Sequence, residues 1–315
     1  MRPISAKRVV TGCIGGTVLL ACGVYIWRSF QWREVFELLS QTDLAWFFLG
    51  GGATIIAYWL VRAWRWRLLL GSRQSGIGFA VLYLCSSVAL SLSIFTPFQS
   101  GEAFKVELLR KYGHVARLQG YSAFLLERVA DLYAVIALGI FALAFRLGSL
   151  SYMEVVLVAA IFVAVPVLGY VLLHRLRLDG WIGDVVGELQ GGISNPGALL
   201  LMLCLTFLSW AIIALGWHAC LYSLSIDLPF VRVLGLVSVI TLLTVLSLIP
   251  GGIGVSEAGI VELLMGMDIS PTKAQAGALV VRCYGVFAVA LGFGHLVFWK
   301  FRDALPRRIR RSNSA

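Results

Sequence analysis

The chain alternates long apolar stretches with short polar breaks, and the stretches have the length of a bilayer crossing. Runs of about twenty apolar residues, the length a helix needs to span the hydrocarbon core, fall at 9–27, 44–61, 77–96, 119–145, 154–173, 198–222, 230–249 and 274–299. Arg2, Lys7 and Arg8 precede the first run, which is long for a signal peptide and lacks a cleavage pattern, so it reads as an uncleaved span. Trp181–Ile193 places Trp181, Ile182, Val185, Val186, Leu189 and Ile193 at helical spacing, which predicts an amphipathic helix in the membrane interface. Between the second and third runs, "RAWRWRLLLGSR" mixes Arg and Trp as expected at a membrane–water boundary.

Composition agrees with this pattern. Of 315 residues, 59% are hydrophobic and only 13% charged, with mean hydropathy +0.88, too little charge to cover a soluble domain. The net charge of +10 does not imply nucleic acid, because Lys and Arg cluster at the ends of apolar runs. Lys300–Arg311, with six basic residues against Asp303, reads as a cytoplasmic tail (300–315) that can meet anionic lipid. The six cysteines lie in apolar segments without a CxxC pair, and the histidines lack ligand spacing, so no metal or cofactor is expected.

Two gaps between spans carry almost the same phrase. Glu102–Leu109 reads "EAFKVELL" and Glu257–Leu264 reads "EAGIVELL", six of eight positions matching 155 residues apart. Each follows a Pro and Gly break, at Pro97 and Gly101 in one and at Pro250, Gly251, Gly252 and Gly254 in the other. Arg128 lies 26 positions after Glu102, and Arg282 lies 25 after Glu257. "RVADLYAVIALG" follows at Arg128, and "RCYGVFAVALG" at Arg282. Each unit, 77–145 and 230–299, therefore contains a span, a break, a short helix opening with Glu, and a span carrying Arg.

Basic residues choose between two topologies. If the gaps are ordinary outer loops, fifteen basic residues lie inside and nine outside; if each short helix is re-entrant, the split becomes nineteen to five. The second is preferred, with both termini cytoplasmic, and it relates the two units by inverted topology. The expected fold is an all-α polytopic membrane protein, a single transmembrane domain of about eight transmembrane helices plus two re-entrant half-helices in an inverted repeat.

Charged groups inside spans are costly and usually face a partner or a wet cavity. Five residues at 3.6 per turn put the two glutamates of each phrase about 140° apart, so only one of each pair can face a shared site. Glu102 and Glu257, at the helix starts, are the candidates; Glu107 can instead pair with Arg110 or Lys111, and Glu262 stays open. Arg128 shares a face with Asp131, and Arg282, with no acid on its own helix, needs Glu257. The glycines 251, 252 and 254 allow backbone forms closed to other residues and expose amides at a helix start, which suits a phosphate or carboxylate. Two such starts with two arginines make an anion site, and the glutamates neutralise it when empty or exchange protons.

At these residues the chain resembles the transmembrane, flippase-like region of lysylphosphatidylglycerol synthases and their stand-alone relatives. The resemblance rests on "RAWRWRLLL", "PFQSGEAFKVELLRKYG", "FLLERVADLYAV" and "SLIPGGIGVSEAGIVELLMGMDIS" followed by Arg282, and covers roughly 40–310. It implies lipid handling: moving a polar-headed lipid between leaflets of the cell (plasma or inner) membrane, or acting beside enzymes that modify lipids or lipid-linked glycans. With the sequence ending at Ala315, a stand-alone form without the aminoacyl-transferase domain is expected.

The expected function is therefore translocation of an anionic or phosphate-containing lipid, a phospholipid or polyprenyl-phosphate-linked lipid, through a central Glu/Arg site. An ion-coupled carrier of a small anion and a non-transporting subunit supporting lipid or glycan modification are the alternatives. No nucleotide-binding loop or nucleophile–His arrangement points to an enzyme, and uphill transport would need an ion gradient or a partner.

Overall fold

In the computed structural model, the described residues are 24, 28, 30–71, 77–93, 96, 101–147, 152–247 and 249–312. The first predicted span (9–27), apart from position 24, and Pro97 lie outside this set. Eleven α-helices make up the rest: α1 (Trp32–Ser40), α2 (Gly51–Leu70), α3 (Phe79–Ser93), α4 (Phe104–Gly113), α5 (Arg117–Leu147), α6 (Tyr152–Arg175), α7 (Gly180–Gly192), α8 (Pro196–Tyr222), α9 (Phe230–Ser247), α10 (Val255–Met265) and α11 (Pro271–Ser312). A short π-helical turn, Trp46–Gly50, runs directly into α2.

Four of these helices are long and apolar enough to cross a membrane: Trp46–Leu70, Pro196–Tyr222, Phe230–Ser247 and Pro271–Lys300. The eight expected spans are thus only partly matched by length and composition. α3, at 15 residues, is short for a crossing, and α5 carries Glu127, Arg128 and Asp131 in its middle. The predicted amphipathic segment is helix α7, which packs on α5 and α6 while leaving Trp181 75% exposed.

Local chemistry explains several boundaries. Asn195 caps α8 by accepting the Ala198 N–H at 2.8 Å, and Pro196 takes the first helical position, where no N–H is needed. Within α6, Pro166 cannot donate to the Phe162 carbonyl; the Tyr133 hydroxyl of α5 donates to that oxygen instead. The predicted Gly break before α10 takes the expected form, with φ of 64°, 59° and 87° at Gly251, Gly252 and Gly254. At Gly101 the amide donates to Thr96 Oγ1 at 2.6 Å, tying the end of the first break to its start.

The packing order has a simple exchange in it. α3 lies along α11, and α9 lies along α5, so the first helix of each repeated unit packs on the last helix of the other. The short helices α4 and α10 sit between the flanking helices of their own units, and α2 and α8 pack along one another. Where α2, α8 and α11 meet, Gly216 faces the hydrogen-bonded pair Thr54 Oγ1 and Tyr284 OH, 3.2 Å apart. A Cβ at position 216 would fall 2.7 Å from Tyr284 Cζ and 2.8 Å from Thr54 Oγ1. Gly216→Ala is therefore expected to cost about 1–3 kcal/mol through overpacking, read as a lower thermal midpoint in detergent. An unchanged midpoint would show that these helices separate easily.

Candidate functional site: a charged cavity between the two units

One face of the segment expected at the membrane boundary lies in the core, while Trp64 and Arg67 stay exposed. Arg62 is 2% exposed, Arg65 0% and Trp66 0%. Spaced at i, i+3 and i+4, they occupy one face of α2, which turns toward α5 and the turn leading into α4. The reason is pairing. A buried guanidinium is tolerated only with carboxylates around it, and three surround these two.

Glu102, in the turn before α4, accepts from Arg62 Nη2 at 2.6 Å and from Arg128 Nη2 at 2.7 Å. Asp131 accepts from Arg65 Nη1 at 2.7 Å, Arg128 Nη2 at 2.8 Å and Arg62 Nη1 at 3.2 Å. Glu127, fully buried, lies 3.1 Å from both Arg62 and Arg65, and its other oxygen accepts from Trp66 Nε1 at 2.7 Å and Lys105 Nζ at 3.3 Å. Lys105 also sits 4.4 Å from the centre of the Trp66 ring. Thr206 of α8 and Tyr58 of α2 accept further bonds from Arg65 and Arg62. Four helices, α2, α4, α5 and α8, and the first break are thereby locked together.

The centre of the second unit is built on the ion pair of Arg282 and Glu257. Arg282 Nε donates to Glu257 Oε1, its Nη1 to the Gly251 carbonyl at 3.1 Å and its Nη2 to Ser256 Oγ at 2.6 Å. Glu257 Oε2 accepts from the Gly254 amide at 2.7 Å. The helix start expected to hold a ligand anion is therefore occupied by the chain's own carboxylate, and the Gly252 amide is spent on Ile249 O. Favourable charge at a helix N-terminus holds Glu257 there as it would any anion.

Both centres face one cavity of about 520 Å³. Arg62, Glu102, Arg128 and Asp131 line it from one side, and Gly251, Ser256, Glu257 and Arg282 from the other. Of the expected site residues, Glu102, Arg128, Asp131, Gly251, Glu257 and Arg282 are thus brought together. Gly252 and Gly254 shape the turn, Gly252 packing against Thr244, and Pro250 opens it. The side chains of Arg128 and Arg282 are 24% and 28% exposed, more open than those of the carboxylates that hold them. Counting the groups behind the wall, five cations (Arg62, Arg65, Lys105, Arg128, Arg282) face four carboxylates (Glu102, Glu127, Asp131, Glu257), leaving one positive charge in excess.

Sequence reading missed Arg62, Arg65, Lys105 and Glu127 as parts of this centre. The available signal was the i, i+3 spacing of Arg62 and Arg65 with Trp66, which marks one helix face as well as it marks a boundary. Glu107 has the supporting role expected of it, bonded to Arg117 at 2.9 Å and Arg110 at 2.8 Å.

A helical bundle with apolar spans and a buried Arg/Glu network around an internal cavity defines a multi-pass membrane protein. The chain belongs to the family described as the lysylphosphatidylglycerol synthase TM region, whose model it matches over residues 12–292. It is also similar to a UPF0104 membrane protein of Methanocaldococcus jannaschii, 23% identical over 220 residues, covering 66% of this chain and 93% of that protein.

Proposed function

We propose that this protein moves a lipid with an anionic, phosphate-bearing headgroup between leaflets, using the central cavity as the headgroup's path. The observation that carries the reading is that Arg128 and Arg282, one from each repeated unit, line a single cavity reaching the side of the bundle. Ile253 and Val286 belong to its wall and are 54% and 61% exposed. A carrier of small soluble anions would do better with a cavity closed to lipid. The single excess positive charge suits one phosphate group, which an arginine fork can hold by two oxygens.

In this reading α4 and α10, at 10 and 11 residues, are re-entrant: each rises only ~15–17 Å, about half the hydrocarbon core. The two units are related by inverted topology, as in transporters whose site lies near the midplane between broken helices. Removing Arg62, Arg65 and Lys105 from the cytoplasmic count leaves sixteen basic residues inside against five outside, so the positive-inside preference survives. Both termini then face the cytoplasm at the cell membrane. Glu257 gives up Arg282 to the incoming phosphate and takes it back on release, and an ion gradient or partner supplies any uphill work. Chemistry on the lipid, if it follows, is left to separate modifying enzymes.

Reconstitution into liposomes with fluorescent phospholipid or polyprenyl-phosphate lipid tests this. Leaflet exchange above that of protein-free liposomes is expected for at least one of the two. Rates equal to empty liposomes for both would overturn the reading.

A further inference from the structure

The two units are not equally closed. Laid along their matching phrases, Lys105 of the first corresponds to Ile260 of the second, Glu127 to Val281, and Asp131 to Gly285. The first two exchange an ion pair for apolar residues that are themselves buried, Ile260 at 2% and Val281 at 6% exposed. The third differs in kind. Where Asp131 fills space and bonds three arginines, Gly285 has no side chain, and a Cβ built there would meet no described atom within 4 Å.

Gly285 lies one turn after Arg282 on α11 and lines the cavity. Its neighbour Val286 also lines it and is 61% exposed, and Ile253, at the break before α10, is 54% exposed. These two exposed lining residues mark a mouth of the cavity beside Arg282, on a helix long and apolar enough to cross a membrane. A glycine inside a helix weakens it relative to a residue with a side chain, and no close contact at Gly285 demands one.

We propose that Gly285 is the sill of a lateral portal, through which the hydrocarbon tail of a lipid stays in the bilayer while its phosphate is held at Arg282. This deepens the proposed function by giving the lipid's tail a place. The occupant follows from continuity: the opening joins a cationic site to an apolar exterior. A ligand spanning both needs an anionic head and an apolar tail. At the place of Gly285 in the first unit, among the described residues, Asp131 and the arginines bonded to it fill the space.

The test uses Gly285→Leu, with Gly294→Leu as control. Gly294 lies on the same helix, also has no described atom within 4 Å of a built Cβ, and does not line the cavity. Both variants are expected to fold with a thermal midpoint equal to or above wild type, since leucine is the better helix former. Leaflet exchange of fluorescent phospholipid is expected to fall at least tenfold in Gly285→Leu and to stay at the wild-type rate in Gly294→Leu. Exchange at the wild-type rate in Gly285→Leu overturns the portal.

A second readout works without transport: the rise in thermal midpoint of detergent-solubilised protein on adding phospholipid. It is expected in wild type and Gly294→Leu and lost in Gly285→Leu. A wild type that is stabilised by lipid but moves none, with stabilisation lost in Gly285→Leu, would sink the transport reading and keep the portal. A wild type without stabilisation, or Gly285→Leu stabilised equally, overturns it.

Discussion

Glu127→Gln is expected to destabilise the protein by about 3–5 kcal/mol, the cost of leaving buried charge uncompensated. One carboxylate serves Arg62, Arg65 and Lys105 and accepts the Trp66 N–H, and none of its surface is exposed. The amide can still accept from Trp66, so shape is nearly kept, but its negative charge is gone. Three cations then share Glu102 and Asp131, which already hold Arg128. The measurement is the thermal midpoint in detergent, together with abundance in the membrane. Lys105→Ile, which installs the residue found at the matching place in the second unit, is expected to cost less, because Glu127 keeps both arginines. A midpoint for Glu127→Gln near that of wild type would show that the network is not what holds α2, α4 and α5 together.

The second large effect concerns movement rather than folding. Arg282→Lys is expected to slow lipid exchange ten- to a hundredfold while leaving the fold intact. A planar fork now spans Glu257, the Gly251 carbonyl and Ser256, and an ammonium on a flexible stem cannot reproduce that geometry. Losing one charge-assisted bond, at about 1.5–3 kcal/mol, corresponds to roughly that range of rates. Glu257→Gln should behave differently. Its amide oxygen can still cap Gly254, but the competing charge is gone, so phosphate binds Arg282 more tightly and leaves more slowly. Exchange is expected to fall while the stabilisation of the protein by phospholipid grows. If both variants exchange lipid at the wild-type rate, the Arg282–Glu257 pair is a structural tie alone.

The contrast between the two centres has a physical basis. The first is over-determined: its carboxylates each meet two or three cations, and its charges come from α2, α4, α5 and the turn before α4. The second is a single pair resting on a glycine turn, and its arginine is the most open of the three lining the cavity. A site that must exchange its ligand needs a bond that can be given up singly. Centres of the first type hold helices; those of the second type can let one go.

Much of this protein was legible along the chain. Apolar runs and breaks reproduced the described helices within a few residues over most of the chain, because both hydropathy and the Gly and Pro signals are carried by contiguous residues. The order Pro, Glu, Arg in each unit identified Glu102 with Arg128 and Glu257 with Arg282, since a charge in an apolar span requires a partner and few were available. Only the tertiary structure decided which charges belong to the centre. Arg62 lies 40 residues from Glu102 and 69 from Asp131, and no local pattern separates an arginine at a boundary from one whose counter-charge arrives from another helix. The same holds for the space beside Gly285: a missing side chain is visible in the sequence, but whether a neighbour fills the gap depends on how α11 meets the rest of the bundle.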